Sequence, residues 1–183
     1  MDAMNTLGAL GQLPAFTDTG EVYVIIETPK GSRNKYAYDE EHQVFLLKGV
    51  MPEGMSFPYD YGYIPSTIGG DGDPLDMLVL MDAPAFPGCV ITARVIGAIT
   101  AEQTERDGRR ERNDRLIGVA SHAHTHGHVE ALSDLRPKMI EEIEAFFEQY
   151  NRLTGKAFCP TGRSGATEAL ALVRSGARDT KRA

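Results

Sequence analysis

The chain has few cysteines, no surplus of positive charge and no long apolar run. Its two cysteines, Cys89 and Cys159, do not form a CxxC pair, and no basic segment precedes an apolar run as in a secretory signal. These absences favour the reducing cytoplasm as the compartment of this protein. The formal net charge of −7 excludes a general binder of nucleic acid or of membrane surfaces, because such proteins need a positive field. Partners are therefore expected to be small, or to arrive together with metal ions.

The length of 183 residues suits one domain with one sizeable core, and no repeat or linker divides the chain. Residues 1–16 are interrupted by glycine and proline, which favours an N-terminal arm over a signal peptide or a membrane span. The polar residues 177–183 are expected to form a disordered tail. We therefore predict a single domain over residues 1–183.

Segments rich in β-branched and aromatic residues predict short strands along most of the chain. The ranges are 21–28, 35–38, 43–47, 77–81, 89–100 and 115–120. Gly97 predicts a bend or bulge, and the charged run 101–114 predicts a solvated hairpin tip that turns at Asp107-Gly108.

Helices are predicted only near the C-terminus. Apolar residues at spacings of four and three predict a helix over 137–153, with Asp134 as its cap. A weaker pattern predicts a second helix over 164–175, with Ser164 as its cap. Strands followed by helices predict an α+β fold, most simply a small closed β-barrel with C-terminal helices packed outside it.

Three carboxylates lie close together in a glycine-rich segment that leads into an apolar strand. They are Asp71, Asp73 and Asp76, within Gly69–Asp76. Carboxylates this close repel one another unless a cation neutralises them, and hard divalent ions such as Mg²⁺ or Mn²⁺ prefer such all-oxygen sites. The alternative is an Asp/Gly-rich surface turn between two strands.

An irregular, aromatic-rich segment over 52–65 precedes these acids. Phe57, Tyr59, Tyr61 and Tyr63 could all fill the core beneath a loop, or one of them could offer a phenol hydroxyl to a ligand. Glu27 and Lys35 lie at strand ends, from which both could point into the mouth of a barrel near the acids. Acids with lysines and tyrosines around them suit a highly charged phosphate substrate.

The segment Asp71-Gly72-Asp73-Pro74-Leu75-Asp76 resembles the signature of the soluble family I inorganic pyrophosphatases. The order of the flanking residues is also similar, from Val24–Glu27 through Lys35-Tyr36 and 61–64 to 146–150, and the resemblance covers about residues 21–173. It implies an OB-like five-stranded barrel that hydrolyses pyrophosphate to two orthophosphates with Mg²⁺, Mn²⁺ being an alternative. A cytoplasmic homo-oligomer, in bacteria usually a hexamer, is implied as well.

The resemblance also implies roles for individual residues. Asp71 and Asp76 would bind metal, Glu27 would hold a metal through water, and Asp73 would accept a proton from the attacking water. Groups expected to contact phosphate are Lys35, Lys48, Tyr61, Tyr150 and Arg115.

Several positions depart from the family pattern. Ala37 replaces an acid, Phe57 a tyrosine, and Asn151 a lysine. The family has two metal-binding aspartates in the charged hairpin. Here the first falls around Glu102 or Gln103 and the second at Asn113-Asp114. Asp114 or Asp107 is expected to supply the missing ligand if the register shifts. A hydrolase of another diphosphate or phosphoester and a non-catalytic metal- or phosphate-binding relative therefore remain alternatives.

Two rival signals point elsewhere. Alternating histidines at 122, 124, 126 and 128 would share one face of an extended segment, within reach of zinc or nickel, although a polar surface strand or loop is the simpler interpretation. Small barrels also bind oligonucleotides, but the acidic balance of this chain opposes that function.

Overall fold

The structure, a computed structural model, describes residues 10–178. Within that range the chain alternates between strands and loops until residue 136 and then adds two helices. The strands are β1 (Val22–Thr28), β2 (Asn34–Asp39), β3 (Val44–Val50), β4 (Asp60–Tyr63), β5 (Asp76–Leu80), β6 (Val90–Thr104), β7 (Arg110–Arg112), β8 (Arg115–Ala120) and β9 (Ala157–Gly165). The helices are α1 (Pro137–Leu153) and α2 (Ala166–Gly176).

Strand pairing closes a ring in the order β1, β4, β5, β8, β6, because β6 pairs back onto β1. β7 and β9 extend the sheet along the distal half of β6, while β2 and β3 form a separate hairpin. The ring with two later helices agrees with the predicted OB-like barrel. Its one parallel contact joins β5 to β8, with Met77 opposite Leu116.

The core consists mainly of two apolar clusters that share the strands of the ring. Along β5, Met77 and Val79 belong to one cluster, and Leu78 and Leu80 to the other. This alternation follows from the two-residue period of a strand. α1 covers the Leu78 side and α2 covers the Met77 side, so β5 is buried on both faces and its sequence is a continuous apolar run.

Helix α1 has the predicted bounds, Pro137–Leu153. Its apolar stripe is buried against the barrel, with Pro137 in the first turn, where a missing backbone N–H costs nothing. The predicted cap is wrong. The Asp134 carboxylate instead accepts hydrogen bonds from the N–H groups of Glu130 and Ala131, and Arg136 is the residue that precedes α1.

Two strands besides β7 lie where the sequence predicts none. β4 falls within the segment 52–65, whose part before Asp60 is irregular. β9 pairs with β6 despite containing Pro160, because the register shifts between Thr100 and Ala101 at that point. Ser164 therefore lies in β9 opposite Ala98, and Gly165 rather than Ser164 precedes α2.

The predicted bulge at Gly97 is confirmed, since the pairing of β6 with β8 shifts between Val95 and Gly97. The hairpin turn is also confirmed: Gly108 has φ = +85°, and the Glu105 N–H donates to the Arg109 carbonyl at 2.8 Å. β6 and β7 extend the hairpin further than predicted, so only its tip is irregular.

The predicted arm and tail fall partly outside the described residues, at 1–9 and 179–183. The rest of the arm packs on the barrel: Leu10 is buried and Phe16 pairs with Val22. Ala177 forms a β-bridge with Thr67, so the described start of the tail is also held. Among residues 10–178 no helix is long and apolar enough to cross a membrane.

Gly62 tests the packing of β4 against β1. A Cβ atom at this position would lie 2.0 Å from the Ile25 carbonyl oxygen, a backbone atom that cannot rotate away. We expect Gly62→Ala to lower the free energy of unfolding by about 1–3 kcal/mol. Chemical denaturation measures this loss. Gly49→Ala is the matched control, because nothing lies within 4 Å of its Cβ position. Equal midpoints for the two variants would contradict the tight approach of β4 to β1.

Candidate active site

The acidic segment forms a tight loop immediately before β5. The Gly69 N–H donates to the Asp73 carbonyl at 2.7 Å, and the Asp73 N–H donates to Asp71 Oδ1 at 3.1 Å. Gly72 has φ = +87°, a conformation that side chains other than glycine rarely adopt. The loop therefore fixes Asp71 by a backbone hydrogen bond and leaves Asp73 exposed.

Asp76 and Arg115 are neighbours because each is the first residue of its strand and the two strands run parallel. Arg115 Nη1 lies 2.8 Å from Asp76 Oδ2. The Tyr61 hydroxyl lies near the same carboxylate, and burial raises the pKa of that hydroxyl well above its usual value. Asp76 thus has a cation and a phenol beside it.

Glu27 and Lys35 do point into the same space, as predicted. Lys35 Nζ lies 3.3 Å from Glu27 Oε2, and Glu27 Oε1 accepts the Tyr38 N–H at 2.7 Å. Lys35 Nζ also lies 4.8 Å from the centre of the Tyr61 ring. Burial raises the pKa of Glu27, although the Lys35 charge and the Tyr38 N–H oppose that shift.

Two open clefts meet at Lys48. The larger, of about 490 Å³, is lined by Glu27, Asp73 and Asp76 as well as by Lys48. The smaller, of about 130 Å³, places Lys48 with Lys35 and Tyr150. Acids thus share the larger cleft with Lys48, and Lys48 shares the smaller one with Lys35, a distribution suited to a metal-neutralised phosphate ligand.

The larger cleft also has two lining residues, Tyr38 and Glu40, that the sequence does not single out for the site; Tyr63 lines it as well. Glu40 falls between the predicted strands 35–38 and 43–47. The sequence signal for a site role of Glu40 was its position shortly after Lys35-Tyr36, in the hairpin that also carries Lys48.

The aromatic segment contributes to both the core and the site. Phe57 is fully buried, with its ring centre 5.4 Å from that of Tyr61 and 5.8 Å from that of Tyr150. Phe57 therefore fills the core beneath Lys35, whose Nζ lies 5.8 Å from the centre of its ring. Tyr61 is equally buried, yet its hydroxyl reaches Asp76.

The charged hairpin places Asn113 rather than Asp114 beside Arg115. Arg115 Nη1 donates to Asn113 Oδ1, and Asn113 Nδ2 donates to Gln103 Oε1 at 3.2 Å. Asp114 is buried and accepts the Ala101 N–H at 3.0 Å through Oδ1, while Arg112 Nη2 lies 2.7 Å from Oδ2. A small cavity of about 20 Å³ is nevertheless lined by Asp114 together with Asp71 and Asp76.

The acidic loop offers the donor atoms that a hard divalent ion prefers. Burial raises the pKa of Asp71, as do the nearby Asp76 and Asp73 carboxylates, against the hydrogen bond from the Asp73 N–H. A bound cation would reverse that penalty, so Asp71, Asp73 and Asp76 fit a metal in donor type and charge. Within residues 10–178, however, no three His, Cys, Asp or Glu side chains converge closely enough to hold an ion.

The histidine-rich segment is a turn-rich loop, so its side chains do not share one extended face. The Asp82 carboxylate accepts the N–H groups of His124 and Thr125, at 2.6 and 2.8 Å. Those hydrogen bonds lower the pKa of Asp82 to about 2. The loop is thus held by a backbone-binding carboxylate, in agreement with the simpler interpretation of a polar surface loop.

Comparison with known proteins agrees with this geometry. The family model for inorganic pyrophosphatase matches residues 24–181. The inorganic pyrophosphatase of Synechocystis is 37% identical over 172 residues, which cover 94% of this chain and 99% of that protein. That of Thermus thermophilus is 40% identical over 157 residues, which cover 84% of this chain and 87% of that protein.

Solved structures give the same result. The Thermus thermophilus inorganic pyrophosphatase superposes with a TM-score of 0.83 at 37% identity, covering 91% of this chain and 95% of that one. The Neisseria gonorrhoeae enzyme gives a TM-score of 0.81 at 29% identity, covering 91% and 96%. The chain therefore belongs to the inorganic pyrophosphatases, a family of metal-dependent enzymes that hydrolyse pyrophosphate.

Proposed function

We propose that this chain hydrolyses inorganic pyrophosphate to two orthophosphates in the cytoplasm, with Mg²⁺ as its metal and Mn²⁺ as a substitute. One observation carries the proposal: the carboxylates Asp73 and Asp76 face Lys48 across the larger cleft, and Lys48 continues into the smaller one. A highly charged diphosphate needs positive charge on both of its sides. Metal held by the carboxylates would neutralise it from one side, and lysines would neutralise it from the other.

The acidic loop would hold the metal. Asp71 and Asp76 are the proposed direct ligands, Glu27 would bind through water, and Asp114 could reach the ion from the small cavity that it lines with both aspartates. The metal supplies positive charge against the phosphate oxygens and makes a coordinated water more acidic. All-oxygen donors are the reason for preferring Mg²⁺ or Mn²⁺.

Asp73 would act as the general base. It is exposed on the larger cleft, and its own N–H is occupied by Asp71, which holds the backbone in place. Its carboxylate can therefore take a proton from the attacking water while the leaving phosphate remains bound.

The opposite wall would bind the phosphates. Lys35, Lys48 and Tyr150 line the smaller cleft, and Tyr61 lies beneath Lys35 with its hydroxyl at Asp76. Lysine ammonium groups bind phosphate oxygens as point charges, and phenol hydroxyls add directional hydrogen bonds. Arg115 contributes positive charge from behind Asp76.

We also propose that the chain forms a homo-oligomer, a hexamer by family resemblance. Large apolar side chains are exposed on the described surface, among them Leu47, Val50, Phe86 and Leu153. A subunit interface would remove such surface from water. Light scattering on the purified chain measures the mass of the assembly, and a monomer would contradict this part of the proposal.

Asp73→Asn tests the general base. We expect kcat for pyrophosphate in saturating Mg²⁺ to fall about 10²- to 10⁴-fold with little change in KM, because the amide cannot accept the proton. Phosphate release measures both constants. Asp18→Asn removes an exposed carboxylate elsewhere and is the matched control. Full activity in the Asp73 variant would disprove the assignment.

Lys48→Ala tests the binding wall. Loss of a charged contact to phosphate is expected to raise KM roughly 10- to 100-fold. Lys138→Ala is the control, since Lys138 is exposed on α1 and pairs with Glu141 at 3.1 Å. If both lysine variants kept the KM of the unmodified chain, pyrophosphate would not bind where the two clefts meet.

A further inference from the structure

Arg115 is a cation fixed inside the protein. It is buried, and its guanidinium carbon lies 5.1 Å from the centre of the Phe147 ring and 5.3 Å from that of Phe158. Such contacts with aromatic faces favour the charged guanidinium and restrict its position. These contacts hold the cation beside Asp76.

Two neutral amide side chains also restrain Arg115. Asn113 accepts a hydrogen bond from Arg115 Nη1 and donates to Gln103, so both amides are occupied on that side. Neither residue carries a charge, and Asp76 is consequently the direct anionic partner of the guanidinium at 2.8 Å. The charges in the part of the site next to the hairpin are thus balanced without an added ion.

The acids of the hairpin are also neutralised by protein cations. All five acidic residues between 101 and 115 have a Lys or Arg nitrogen within 3.4 Å. The pairs are Glu102–Arg110, Glu105–Lys156, Asp107–Arg109, Glu111–Arg109 and Asp114–Arg112. A metal ion that used one of these carboxylates would have to displace a cation already in place.

We propose that Arg115 is a built-in cation of the acidic site, which competes with divalent metal for Asp76 and confines metal binding to the side of Asp71 and Asp73. The inference rests on the proposed metal site. Two positive charges that share one carboxylate repel each other, and in a partly buried site this repulsion is weakly screened. Arg115 thereby limits how many ions bind, and how tightly, before substrate arrives.

Calorimetric titration with Mn²⁺, in the absence of substrate, tests the inference. In Arg115→Met, whose apolar side chain can occupy the space between Phe147 and Phe158, we expect Mn²⁺ to bind at least tenfold more tightly or at an additional site. Arg115→Gln is a second variant, because it removes the charge while its amide can still donate a hydrogen bond to Asp76. It should shift Mn²⁺ affinity in the same direction.

Arg110→Met is the matched control. Arg110 is largely exposed and pairs with Glu102 rather than Asp76, so we expect Mn²⁺ affinity to change less than threefold. Thermal unfolding of each variant verifies that it is folded.

Mn²⁺ binding that is unchanged or weaker in both Arg115→Met and Arg115→Gln would overturn the inference while leaving the metal site intact. Equal tightening in Arg110→Met would also overturn it, because the loss of any hairpin arginine would then suffice. No Mn²⁺ binding by any folded form would overturn the inference together with the proposed metal site.

Discussion

The parallel pairing of β5 with β8 is the constraint on which the site depends. In the closed ring the other neighbouring strands run antiparallel, and this one contact brings the starts of two distant segments to the same edge. One start carries the acidic loop and Asp76, and the other carries the end of the charged hairpin and Arg115. Their ion pair at 2.8 Å is a direct consequence of strand direction. The two core clusters bury both faces of β5. The packing that stabilises the barrel therefore also holds this edge in place.

Acidic and basic side chains lie on opposite sides of the site. Carboxylates of the loop face Lys48 of the β2–β3 hairpin across the larger cleft, while Arg115 pairs with Asp76 from inside the protein. A diphosphate with its metal would add both positive and negative charge to this space. The metal would be attracted by the carboxylates, and the phosphate oxygens would be attracted by the cationic side chains. The hairpin differs, since its acids are already paired with arginines or lysine. The departures from the family pattern around Asn113 therefore form a connected network of hydrogen bonds and ion pairs.

Local signals in the sequence were sufficient for some elements and not for others. The bounds of α1 were predictable because periodicity and Pro137 act within a few residues. The acidic loop followed from a motif, and the orientation of Glu27 and Lys35 toward one space followed from their positions at strand ends. β4 and β9 were missed because they are strands through pairing with remote partners, and their prolines and glycines conceal any local preference. The contact of Asn113 with Gln103 depends on the register in which β6 pairs with β7, which no local pattern specifies.

Orthophosphate release from pyrophosphate by the purified chain, titrated with Mg²⁺ and with Mn²⁺, tests the account most directly. We expect release that requires added metal, stops when the metal is chelated and resumes when it is restored. Asp76→Ala should abolish it, because that variant removes the carboxylate shared by the proposed metal and Arg115. No release with either metal from a correctly folded chain would contradict the account, whatever other phosphorylated compound the clefts then proved to bind.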